Sequence, residues 1–92
     1  MVKELYAIKD TKIGQILHMF ETPNIEVAKR QMQNAVNDDA KTELVLNTSD
    51  FELYKLGNFD KTTGIIESKV EFICNLIEFK KVVTRSTKKV VK

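Results

Sequence analysis

Residues that carry chemistry are scarce in this chain: 92 residues include one cysteine, one histidine and one proline. Cys74 lies in an apolar run with no second cysteine, which excludes an intrachain disulfide framework and a Cys/His zinc site and fits a reducing compartment. His18 has no cysteine or paired acid near it in sequence, so it reads as a structural or surface residue rather than a base or ligand. Asp38-Asp39 read as the end of a helix rather than as a metal site. Neither a Gly-rich phosphate loop nor a nucleophile motif is present. The expectation is a protein that is not an enzyme and has no metal, cofactor or small-molecule substrate. No apolar stretch approaches the roughly 18 residues that span a bilayer, and MVKELYAIKD lacks the apolar core of a signal peptide. A soluble, unexported protein with no membrane partner is expected.

What is there fits one small domain. A chain this short buries only about 60% of the surface its unfolded form exposes, so its core is marginal and support from a homodimer or higher homo-oligomer is expected. Charge is unevenly placed. Residues 80–92, KKVVTRSTKKVVK, carry Lys80, Lys81, Arg85, Lys88, Lys89 and Lys92 and no acid, for +6. Residues 1–79 hold nine basic and thirteen acidic residues, for −4. A basic terminal arm gains affinity for nucleic acid by releasing condensed counterions, and it equally serves as a solvated tail that keeps a protein soluble. The pairs Val82-Val83 and Val90-Val91 also suit a strand or a packed segment. The division is therefore a single α+β domain over 1–79 and a basic C-terminal tail over 80–92.

The body has a regular layout. ELYAIKD, residues 4–10, sets Leu5 and Ala7 on one side and Tyr6 and Ile8 on the other, as a strand with both faces partly covered would. Gly14 serves the turn before a returning strand, QILHMFE, at 15–21. Thr22-Pro23-Asn24 has the chemistry of a helix start, and Ile25, Ala28, Met32, Ala35 and Val36 keep the 3.6-residue period, predicting a helix over 24–36. A long connection follows, with one further turn around Leu44 to Leu46. FELYKLGNFDKTTGII, residues 51–66, reads as a second hairpin: a third strand apolar on both sides, Gly57 at a bulge or close approach, a DKTTG turn and the start of a fourth strand.

SKVEFICNLIEF, residues 68–79, admits two periods. Ser68 and Glu71 have capping-box spacing, and Glu71, Asn75 and Glu78 form a narrow polar stripe, so a helix is expected, with a strand that extends the sheet or pairs across a dimer as the alternative. The fold expected is α+β, a small, mostly antiparallel four-stranded sheet in β-β-α-β-β-α order.

Several of these segments together carry a family resemblance: YAIKDTKIG at 6–14, Phe20, AKRQM at 28–32, and DFELYKLGNFD at 50–60 with Thr63-Gly64. In order and spacing over roughly residues 5–66 the chain resembles the small nonstructural protein of gokushovirus-type microviruses, tailless phages with single-stranded DNA genomes. Met32 stands where relatives often carry an aromatic, a change that keeps core volume. Thr48 and Ser49 stand where a proline is common. The resemblance implies a DNA-binding protein of phage replication, acting in the host cell cytoplasm in the switch to single-stranded DNA synthesis and packaging. The tail lies outside the matched region, so its part rests on charge alone.

Candidate nucleic-acid contacts follow. The six tail cations would meet phosphates; Lys9, Lys12 and Arg30, in or beside the family-like segments, would extend that surface; Tyr6 and Tyr54 would offer rings to unpaired bases. Against each stands a plainer role, as core aromatic or solvated charge. The expected partner is single-stranded DNA, with duplex DNA open. The alternative is a protein-interaction adaptor that engages a host replication or phage assembly protein. The tail lacks the bulky apolar face that membrane anchoring requires.

Overall fold

The computed structural model describes residues 1–80. Four strands, β1 (Val2–Asp10), β2 (Gln15–Thr22), β3 (Phe51–Asp60) and β4 (Ile66–Asn75), form one antiparallel sheet in the order β2-β1-β3-β4. Between β2 and β3 run helix α1 (Ile25–Val36), the single-turn helix α2 (Glu43–Leu46) and a 3-10 turn (Thr48–Asp50). The expected order holds through β4, and both the 24–36 helix and the turn near 44–46 form.

Both hairpins use the same five-residue frame, Asp-x-x-x-Gly. In the first, the Asp10 carboxylate accepts from the Lys12 N–H at 2.9 Å and the Gly14 N–H donates to the Asp10 carbonyl at 2.8 Å. In the second, the Asp60 carboxylate accepts from the Thr62 N–H at 2.9 Å and the Gly64 N–H donates to the Asp60 carbonyl at 2.7 Å. Gly14 at φ 67 and Gly64 at φ 82 close these turns in the left-handed region, where other residues are strained. The Thr62 N–H is the main reason the Asp60 carboxyl sits below its ordinary range.

Helix α1 begins at Asn24, whose side chain accepts from the Val27 N–H at 3.0 Å. It buries Ala28, Met32 and Val36, spaced four apart on one stripe. That stripe covers Tyr6 and Ile8 of β1, Phe51 and Leu53 of β3, and Cys74 and Leu76, which together with it form the core. Burial, reinforced by the Glu78 charge, pushes the Cys74 thiol up. The ends of the helices are tied down by the chain's last described residues. Asn37 donates to the carbonyls of Gln33 and Phe79, and the Lys80 ammonium donates at 2.8 Å to both Val36 and Val45 carbonyls. These bonds satisfy C-terminal carbonyls that a helix leaves unpaired.

The helix expected over 68–79 is not formed. Residues 66–75 are β4, paired with β3 from Phe59↔Ile66 to Glu52↔Asn75, and only Leu76–Phe79 turn, as a short 3-10 segment. A bulge explains the ambiguous pattern. Leu53 pairs with Cys74 while its neighbour Tyr54 pairs with Phe72, so Ile73 is an extra residue that reverses the alternation. Phe72 therefore shares a face with Tyr54, whereas Cys74 enters the core. Period-two alternation is broken at that point, and the broken pattern imitates a helical one.

A second irregularity bends the sheet beside Gly57. One step on β1, from Leu5 to Tyr6, is matched by two on β3, from Gly57 to Lys55, and three on β4, from Ser68 to Glu71. Gly57 has φ 148, and a Cβ there would run into the Glu67 carbonyl, so this close approach needs glycine.

Candidate nucleic-acid interface

The sheet has two unlike faces. Alternation along β1 sends Tyr6 and Ile8 toward α1 and Leu5, Ala7 and Lys9 to the other side, which no element covers among the described residues. Pairing adds Met19 opposite Ala7, Ile16 opposite Lys9, Tyr54 opposite Ala7, Phe59 opposite Lys3, and Phe72 opposite Tyr54.

On this open face Lys9 and Tyr54 come together. The Lys9 ammonium stands 5.5 Å from the centre of the Tyr54 ring, within cation–π range, and the ring meets Phe72 edge-on at 5.6 Å. The Tyr54 hydroxyl donates to the Glu52 carboxylate at 3.1 Å. Desolvation, and then that carboxylate, raise its pKa. Glu52 is also the pairing partner of Lys9, so the one cation of this cluster is matched by an acid beside it.

The other candidates are dispersed. Lys12 is exposed in the first hairpin turn. Arg30 is exposed on α1, on the opposite side of the sheet from Lys9. Tyr6 must be corrected: it is 1% exposed, stacked near Phe20 at 6.0 Å, and its hydroxyl donates to the Glu4 carboxylate at 2.6 Å. Burial first, and then Glu4, hold its phenol far above the ordinary value. A ring so enclosed cannot stack on a base. Lys80 also has a structural task, because its ammonium is occupied by two helix-end carbonyls. Lys81, Arg85, Lys88, Lys89 and Lys92, with both valine pairs, lie outside the described residues.

Residues 3–79 match the phage ORF5 protein family, most of the chain and nearly all of its described part. The chain belongs to that family. No curated protein and no solved structure matches it. The family match runs through β4 and the closing 3-10 turn and stops before Lys80, so the basic run is outside it.

Sequence reasoning missed several residues of the open face. Phe72 was hidden by the helical reading of its segment, and Met19, Ile16 and Ile66 were read only as strand formers. The available signal was the Tyr54 block itself: a hairpin whose second strand has aromatic and β-branched residues in step with the first places ring against ring. Among the described residues no three His, Cys, Asp or Glu side chains converge as a metal-binding group.

Proposed function

We propose that this phage protein is a non-enzymatic nonstructural DNA-binding protein that favours single strands and acts in viral genome replication, in the host cytoplasm, at the switch to single-stranded synthesis and packaging. The observation that carries the reading is the segregation of charge: −4 over residues 1–79 and +6 over 80–92. An acidic body repels a polyanion, and attraction comes from the arm alone. Lys80 serves the helix ends, which leaves five tail cations for phosphates. The Lys9–Tyr54 pair contributes little to that attraction, because Glu52 sets a carboxylate where a phosphate would pass.

At about 0.7 per cation on single strands, five contacts predict a slope of roughly −3.5 for log affinity against log salt. Labelled oligonucleotide is titrated at several salt concentrations with the full chain and with a version ending at Lys80, which retains every described contact. The short version should bind at least tenfold more weakly and lose most of the slope. Equal slopes would remove the tail from the mechanism.

A second reading, an adaptor for a host replication or phage assembly protein, is favoured by the apolar character of the open sheet face. Capture from nuclease-treated host lysate separates the two: one stoichiometric foreign protein with no retained oligonucleotide supports the adaptor.

A further inference from the structure

We infer that the open sheet face is the contact between two copies of this chain, packed sheet to sheet about a two-fold axis. The face is too apolar for water. Met19 is 58% exposed, Ile66 59%, Val70 63% and Phe72 56%, on or beside a surface floored by Leu5 and Ala7. With Ile16 these side chains offer on the order of 500 Å² of apolar area, the apolar core of a standard interface of about 800 Å² per partner.

Shape and charge identify the occupant as a second copy. A two-fold contact requires one surface to carry both a projection and the recess that receives it. The open face has both. A hollow of about 430 Å³ lies over Leu5 between Met19, Phe59 and Ile66, with Phe20 and Glu21 also in its lining, and the Phe72 ring, more than half exposed, lies on the same face edge-on to Tyr54. Turned by a two-fold, each copy's Phe72 enters the other's hollow. The charges suit the same arrangement. Lys9 and Glu52 lie side by side and offset each other, so this part of the face presents no field of one sign to repel a second copy or to attract a polyanion.

The layering of the monomer points the same way. On the described residues α1 covers only one face of the sheet. Pairing covers the other with matching side chains and carries two tails on one particle. This inference rests on the described sheet and does not depend on DNA binding.

Light scattering and sedimentation of the full chain, nuclease-treated and free of oligonucleotide in high salt, test it. The expected mass is twice 10.6 kDa at tens of micromolar, falling toward 10.6 kDa on dilution. Phe72→Asp and, from the other wall of the hollow, Met19→Lys should each weaken association roughly 30-fold or more, as hot-spot residues do, with unchanged far-ultraviolet circular dichroism. Ile77→Asp, exposed but on the closing 3-10 turn, should leave the dimer intact. A parent chain at 10.6 kDa throughout overturns the inference, as does a dimer that survives both face variants. If the parent is monomeric and Phe72→Asp lowers oligonucleotide affinity, the face belongs to nucleic acid. If it is monomeric and retains one lysate protein on that face, the face belongs to a foreign partner.

Discussion

Along β1, Tyr6 and Ile8 lie beneath α1, while Leu5 and Ala7, interleaved with them and buried as well, face the uncovered side, where Met19, Ile66 and Phe72 stay more than half exposed. Hydrophobicity along the strand is similar on both sides. What differs is what the chain can lay over each. Twelve residues of helix cover one face, and no described element remains for the other. Apolar side chains in the sheet of this small chain therefore stand in two settings: α1 closes over the inner set, and the outer set includes side chains left more than half exposed.

The largest test of this comparison sets equivalent truncations on the two faces against each other. Leu53→Ala, at a fully buried position, should cost about 3 kcal/mol by urea denaturation, a large share of a small domain's stability. Met19→Ala, measured under dilute monomeric conditions, should change stability by less than about 1 kcal/mol. Similar costs would break the distinction between the faces. Gly57→Ala should cost about 2 kcal/mol, because the added methyl strains the backbone and meets the Glu67 carbonyl; the same change at Gly64, where nothing lies within 4 Å, isolates the backbone part.

Lys80→Met should destabilise by about 1 to 2 kcal/mol, since the Val36 carbonyl loses its side-chain donor and the Val45 carbonyl keeps only the Thr48 hydroxyl, and should scarcely change the salt dependence of oligonucleotide binding. If instead the salt slope fell by a full charge with stability unchanged, Lys80 would belong to the arm and not to the body. The pH dependence is smaller and separates the two tyrosines. Tyr6 has its phenol pKa raised in the folded state, so its contribution is complete below the unfolded value of about 10 and is lost as pH climbs above it. Tyr6→Phe should lower stability at neutral pH by removing the bond to Glu4 and should flatten the alkaline decline. Tyr54→Phe, on the open face, should flatten it less, although its shift has the same sign.

Much of this was legible in advance, for local reasons. The α1 start at Asn24 and its buried stripe follow from a cap and a period, and both turns follow from aspartate and glycine at fixed spacing. Tyr6 and Ile8 against Leu5 and Ala7 could be assigned to opposite faces, but not which pair would be covered. Tyr6 was consequently misjudged as a ring free to stack, and Phe72 was overlooked. Residues 68–79 failed for a different reason: the bulge at Ile73 exists only because β4 must stay paired with a bent β3, and no window of sequence contains that constraint. Lys80 looked like the first residue of a basic arm because its charge was visible and its acceptors, 35 and 44 positions away, were not.

By itself the order of residues settled the turns, the capped helix, the alternation of three strands and the partition of charge between an acidic body and a basic end, since each depends on neighbours within a few positions. Only the tertiary structure decided that the last segment is a strand, that Lys80 holds helix ends, and which side of the sheet remains open. Those outcomes depend on where one helix comes to rest on a bent sheet, and that is a competition among distant contacts.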